Sequence, residues 1–245
     1  MEIKYYIKRG TYLAIIFSIL SVISILFIDK PFALWIHNTG LDNWQFPRYI
    51  AETAQYWLGG ISFLTIMLIY PSPQQFNKTD DYISEGFTIF QTSNSSFNIA
   101  RIIYFSLVVS ITLWIMAELK IFFGRDWPLH WVGLNEGLIP DGVYRFNILK
   151  SKTWRGSFPS GHTTYATAAS IIMYLLYSRV KYLWLTFMLA VIIPMIMLNY
   201  HFVGDCLAGA ALGVMCAYYG VALHHFILIK INNSSKSSQV AQENR

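Results

Sequence analysis

Charge is scarce in this chain. Only 13% of its 245 residues are Asp, Glu, Lys or Arg, against roughly 25% in an average soluble domain. The 55% that are hydrophobic gather in long uncharged runs, which excludes a single soluble domain and fits a polytopic membrane protein. Cysteine is scarcer still. Cys206 and Cys216 lie in one apolar stretch, roughly 15 Å apart along a helix and too far for a bridge. That excludes a disulfide scaffold and leaves the redox compartment unread. The composition excludes disorder and collagen as well. The net charge of +5 has no basic helix or nucleic-acid motif to carry it, so nucleic acid is not an expected partner.

What is present is a set of six apolar runs, at 11–28, 53–70, 102–117, 163–178, 182–200 and 206–229. Each is about as long as a bilayer span once its flanks are counted. The fold expected is all-α, a bundle of six transmembrane helices in one domain over 1–245. Lys4, Lys8 and Arg9 precede the first run but no small-x-small cleavage site follows, so it reads as a retained anchor. Trp57, Trp114, Tyr177 and Trp184 lie in or beside the runs, as belt or as packed core. Segment 71–98 is a polar loop with room for a short interfacial helix, and the Ser/Asn/Gln-rich tail 232–245 is expected to be disordered. Gly209 and Gly213 form a small-xxx-small pair that invites a neighbouring helix to approach closely.

Six spans put the loops after the first, third and fifth on one face. The face with the termini receives ten basic residues and the other eight, which places the termini in the cytoplasm by a narrow margin. Six of those eight, Lys120, Arg125, Arg145, Lys150, Lys152 and Arg155, crowd into the single loop 120–162. Cations gathered where orientation gives no reason for them indicate an anion site; the alternative is a solvated basic loop.

That loop ends in Pro159-Ser160-Gly161-His162 just before the fourth run. A small hydroxyl residue and glycine opening a helix offer backbone N–H groups and a positive dipole end to an oxyanion, although Ser160 could equally be an ordinary N-cap. Between the last two runs, His201 and Asp205 are spaced i, i+4. If this stretch is helical they share a face, and the carboxylate fixes the imidazole tautomer, leaving the other nitrogen as nucleophile or base. A purely structural His–Asp pair is the alternative. By parity the pair, the Ser160-Gly161-His162 corner and Lys120 share one face.

These residues resemble the type 2 phosphatidic acid phosphatase superfamily: Pro159-Ser160-Gly161-His162 matches its second signature, and His201 with Asp205 its third. Lys120, followed after six residues by Trp127-Pro128, is similar to the first, which runs Lys, six residues, Arg-Pro. The resemblance implies that His201 attacks phosphorus, Asp205 orients it, and His162 protonates the leaving oxygen and later activates water. Lys120, Ser160 and Gly161 would hold the phosphate oxygens. No cofactor or metal is implied, and no zinc-ligand spacing or carboxylate cluster is seen. The departures are Trp127 in place of the family's arginine and Pro194-Met195 in place of its Ser-Arg pair. Arg125 is the expected substitute phosphate ligand unless Asp126 neutralises it, with Lys152 or Arg155 as further contacts.

The expected function is therefore a metal-independent lipid phosphate or diphosphate phosphatase in a bacterial inner membrane, its site on the periplasmic face. In a Gram-negative envelope the resemblance suggests lipid A, undecaprenyl diphosphate or phosphatidylglycerol phosphate. The long Trp-containing loop leans towards a large head group such as lipid A. Partners are the lipid substrate and the bilayer; the oligomeric state is not legible. A non-catalytic lipid-binding or transport protein is the rival from another class, weakened by spans nearly free of charge. A vanadate-dependent oxidase lacks support too. His224-His225 read as an interfacial pair, Glu118 as solvated or paired with Lys120, and Trp127, Trp131 and Trp154 as interfacial anchors.

Overall fold

The computed structural model describes residues 2–53, 95–129, 136–149, 156–176 and 181–243. The described residues fold as helices: α1 Glu2–Phe27, α2 Asp29–Thr39, a 3-10 turn Leu41–Asn43, α3 Gln45–Thr53, α4 Ser95–Phe123, α5 Leu138–Asp141, α6 Gly161–Leu176, α7 Lys181–Met197 and α8 Val203–Glu243. Two isolated β-bridges, Arg125 with Phe146 and Trp127 with Gly137, fold the loop after α4 back on itself.

Five of the six apolar runs fall on α1, α4, α6, α7 and α8. The run 53–70 beyond Thr53, and all of the polar loop before Ser95, lie outside the described residues. The helices Ile3–Phe27, Ile102–Phe123 and Val203–Ile231 are long and apolar enough to cross a membrane. The described 16 residues of α6 and 17 of α7 cover about 24–26 Å at 1.5 Å per residue, against a hydrocarbon core of roughly 30 Å. The described helices thus give three candidate spans, and six are not established. α1 and α4 are apolar all round and keep Leu26, Phe27, Ile103, Leu107 and Trp114 exposed, as a lipid-facing helix does. Trp184, by contrast, is packed core.

The last helix is the hub, flanked by α1, α6, α4 and α7. Its close contact with α6 uses the two glycines as expected. A Cβ on Gly209 would stand 2.6 Å from the Ser160 carbonyl oxygen, and one on Gly213 2.8 Å from that of Thr164. The core between α4, α6 and α8 is filled by Phe105, Ile172, Met173, Tyr218 and Val221. The tail expected to be disordered instead continues α8 to Glu243. Adding residues to an existing helix costs far less than nucleating one, so a weak helix former can be carried along.

Contacts fix the direction of each helix. α1 runs antiparallel to α8: Ser21 near its end donates to the Gly204 carbonyl at 2.7 Å, while Thr11 near its start meets the Tyr219 hydroxyl at 2.9 Å. α6 is parallel to α8, and α4 antiparallel, with Tyr104 donating to the Gly220 carbonyl at 2.9 Å. The end of α1, the end of α4, the start of α6, the end of α7 and the start of α8 therefore gather at one end of the bundle. His224 and His225 lie at the other end, and instead of facing an interface they are buried against Tyr104, Phe105 and Tyr6.

Candidate active site

His201 is delivered by the way α7 stops. Asn199 adopts the left-handed conformation, φ 51°. The Tyr200 N–H returns to the Met195 carbonyl and the Asn199 N–H to that of Ile196, both at 3.0 Å. This is a Schellman closure with asparagine at the left-handed position. The Asn199 side chain holds the turn in place, donating to the Ala33 carbonyl at 3.0 Å and to Asp42 Oδ2 at 3.2 Å. Two residues on, His201 emerges 3% exposed.

Asp205 sits in the first turn of α8, where its negative charge suits the dipole. Its Oδ2 accepts the Phe202 N–H at 3.1 Å, the reach-back half of a capping box. His201 precedes the helix, so the helical i, i+4 geometry expected from spacing is replaced by a cap that turns the carboxylate back towards the ring. His201 Nδ1 stands 3.5 Å from Asp205 Oδ2, an electrostatic contact longer than a good hydrogen bond, as is common before substrate tightens a site.

The Pro159-Ser160-Gly161-His162 corner meets this pair directly. The Ser160 N–H donates to the Asp205 carbonyl at 3.0 Å. That donor is engaged by the fold, whereas the expectation has the backbone around Ser160 turned to a phosphate. Ser160 also caps α6, its Oγ lying 3.4 Å from the Thr163 N–H, so the capping role read from sequence is present. Gly161, at the first position of α6, has its Cα against Met116 and the Lys120 stem, where a Cβ would come within 3.1 Å and 3.9 Å. The His162 and His201 rings stand 6.2 Å apart, inclined at 62°.

Lys120, at the end of α4, is buried and donates to the carbonyls of Gly156 at 2.6 Å and Ser157 at 3.3 Å. Its ammonium lies 5.1 Å from the Trp127 ring centre, and Trp127 in turn lies 4.9 Å from His201. Trp127, expected as an anchor, is 6% exposed and forms a wall of the site at the position where the family carries arginine. Glu118 is exposed, and the acceptors of Lys120 are the loop carbonyls.

Arg125 departs most from its expected role. Its Nη1 donates to Asp205 Oδ1 at 2.5 Å, and its Nη2 to Asp29 Oδ2 at 2.8 Å and to the Tyr144 hydroxyl at 2.7 Å. Phe202, Phe146 and Tyr144 cover the guanidinium at 4.3, 4.9 and 5.0 Å from their ring centres. It is 2% exposed and stands behind the His201–Asp205 pair instead of in front of it. Burial alone would lower its pKa, but the carboxylates of Asp205 and Asp29 more than offset that and raise it. Asp126, the neutralising partner considered from sequence, is engaged by Arg145 at 3.2 Å. Lys152 and Arg155 lie outside the described residues, as do Trp131 and Trp154.

Burial holds the His201 imidazole below its ordinary range. The Asp205 carboxylate and the Ser157 carbonyl oppose this, and the Lys120 cation reinforces it. A buried, neutral, oriented imidazole is a nucleophile that needs no activating deprotonation. Among the described residues no group of three His, Cys, Asp or Glu is placed to hold a metal ion. Asp29, Tyr144 and Asn199 are the neighbours that sequence reasoning missed. Asp29 did carry a signal, as a lone carboxylate closing the first apolar run.

Comparison with protein-family models matches the PAP2 superfamily over residues 101–228, more than half of the chain. The chain belongs to the PAP2 superfamily. Membership makes phosphatase chemistry on phosphate esters the family expectation. No curated protein and no solved structure gives a significant match. The matched region of this PAP2 chain starts after α1–α3, so Asp29 lies outside it.

Proposed function

We propose that the chain is an integral-membrane phosphatase that hydrolyses a lipid phosphate or diphosphate through a phosphohistidine. The observation that carries this reading is the approach of the His162 and His201 rings to 6.2 Å between centres, which brings an attacking and a proton-donating imidazole to one site. The Nε2 lone pair of His201 attacks phosphorus while the ester P–O bond breaks. His162, entering as the imidazolium, gives its proton to the departing oxygen and becomes neutral, then takes one from water as that water cleaves the P–N bond and releases phosphate. Asp205 accepts a hydrogen bond from the Nδ1–H, which stays on the ring, and steadies the positive charge that develops there. Lys120 and the first-turn N–H of Gly161 face the phosphoryl oxygens. Lys152 and Arg155, if turned inwards from the basic loop, add head-group contacts.

A substrate whose tail stays in the bilayer suits a site at one end of an apolar bundle. Among such lipids the long loop 120–162 favours a large head group such as lipid A over undecaprenyl diphosphate or phosphatidylglycerol phosphate. The bacterial inner membrane, with the site periplasmic and the termini cytoplasmic, is the location that goes with this reading. The test is phosphate release by purified protein from a panel of these lipids, with chelator present. The intact chain is expected to turn over at least one of them, and His201→Ala none. A requirement for added divalent metal, or full activity in His201→Ala, would overturn the mechanism.

A further inference from the structure

One carboxylate belongs to neither the family motifs nor the mechanism above. Asp29, the first residue of α2, is 1% exposed and fully engaged. Its Oδ1 accepts the Ser24 hydroxyl at 2.6 Å and the Gly204 N–H at 2.8 Å. Its Oδ2 accepts Arg125 Nη2 at 2.8 Å. Gly204 neighbours Asp205, and a Cβ there would stand 2.7 Å from Asp29 Oδ2, so glycine is what lets the carboxylate reach the first turn of α8. A guanidinium facing a single carboxylate prefers to grip both oxygens. Here the second arm of Arg125 is taken by Asp29, and only Nη1 reaches Asp205, through Oδ1. Asp205 Oδ2 is thereby left to the Phe202 N–H and the His201 ring.

We propose that Asp29 is a positioning residue for the reaction: by holding one arm of Arg125 it keeps that arginine from closing on both oxygens of Asp205 and so reserves Oδ2 for His201. The inference rests on the phosphatase reading given above for its kinetic consequence, but its structural half does not. The groups bearing on His201 are Asp205 from α8, Lys120 from α4 and His162 from α6, with Arg125, Asp29 and Tyr144 behind Asp205. Asp29 neutralised leaves Arg125 one carboxylate to grip, Oδ2 is drawn into the fork, and His201 Nδ1 loses the carboxylate oxygen that now stands 3.5 Å away. The ring then drifts to the tautomer that places its proton on Nε2, the atom that must attack.

The experiment compares the full chain with Asp29→Asn, in detergent, by two readouts. Long-range 15N–1H spectra of histidine-labelled protein give the His201 tautomer, its signal assigned by its absence in His201→Ala. Steady-state phosphate release gives kcat and KM. The expected result is a shift of His201 from the Nδ1–H towards the Nε2–H tautomer, with kcat lower by about tenfold or more and KM within about twofold. An unchanged tautomer overturns the proposal, whether or not kcat falls, because a fall without it marks a merely structural role. A shifted tautomer in a protein whose wild type hydrolyses no lipid phosphate leaves the positioning intact and removes the phosphatase reading. Should Asp29→Asn fail to fold, Ser24→Ala, which removes one bond to Oδ1, is expected to move both readouts in the same direction by a smaller amount, and no movement in the tautomer would again overturn the proposal.

Discussion

The Ser160 backbone N–H donates to the Asp205 backbone carbonyl at 3.0 Å, so the two family motifs are joined by main chain before any side chain is considered. The joint is possible because Gly209 lets α6 lie against α8. A Cβ at Gly209 would meet the Ser160 carbonyl oxygen, a backbone atom that cannot swing aside. Gly209→Ala is expected to cost about 1–3 kcal/mol of stability. It should also lower kcat/KM by about a hundredfold, since displacements near 1 Å in a reacting constellation cost that much. Thermal unfolding and turnover of the same preparation check both, and wild-type values for either would show that the two motifs are not held by this contact.

His162 is assigned to the leaving oxygen, so its loss should depend on what leaves. His162→Ala is expected to lose about 10²–10⁴-fold on an alkyl lipid phosphate, and much less on an aryl phosphate whose phenolate departs without a proton. Equal losses on the two substrates would move the acid elsewhere.

Asn199 combines left-handed backbone with two side-chain hydrogen bonds. Asn199→Gly keeps the backbone and loses the bonds. Asn199→Ala loses the bonds and adds a left-handed penalty of about 1–2 kcal/mol. Stability measured by thermal unfolding should fall in the order Asn, Gly, Ala; alanine equal to glycine would show that the turn carries no such constraint.

The depressed pKa of His201 sets two pH dependences. The folded protein keeps the ring neutral below the ordinary histidine value of about 6.5, where the unfolded chain takes up a proton. Stability is therefore flat in this respect above that pH and declines as pH falls through and below it. The neutral nucleophile likewise survives into acid, so the acid limb of kcat/KM should lie below about 6.5. A pH–rate profile and unfolding scans against pH, each repeated with His201→Ala for the stability term, check the sign. An acid limb above 6.5 would contradict the burial of the ring.

The helices and the candidate site residues are legible for different reasons. Uncharged runs of bilayer length mark α1, α4 and α8 because the solvent they face selects for nothing else. His162, His201 and Asp205 stand out because chemistry needs those residue types at a helix start and beside a turn. Arg125 was misplaced for an equally physical reason. A cation beside a phosphate motif has the same local sequence whether it points at substrate or at a carboxylate, and the carboxylates that claim it, Asp29 and Asp205, are 96 and 80 residues away. Nor does spacing distinguish a helical His201–Asp205 pair from one made by a cap, since both put the two side chains four apart.

The length of α8 reaches beyond the bundle. Its 41 residues make a rod of about 60 Å, roughly twice the hydrocarbon thickness of a bilayer, and its apolar part ends at Ile231. If α8 enters the bilayer at residue 203, its surplus turns emerge from the membrane surface opposite the His201 end. A fluorophore or affinity handle fused after residue 243 would thus sit on a stalk in water, far from the chemistry, and report the orientation of the whole protein without touching it.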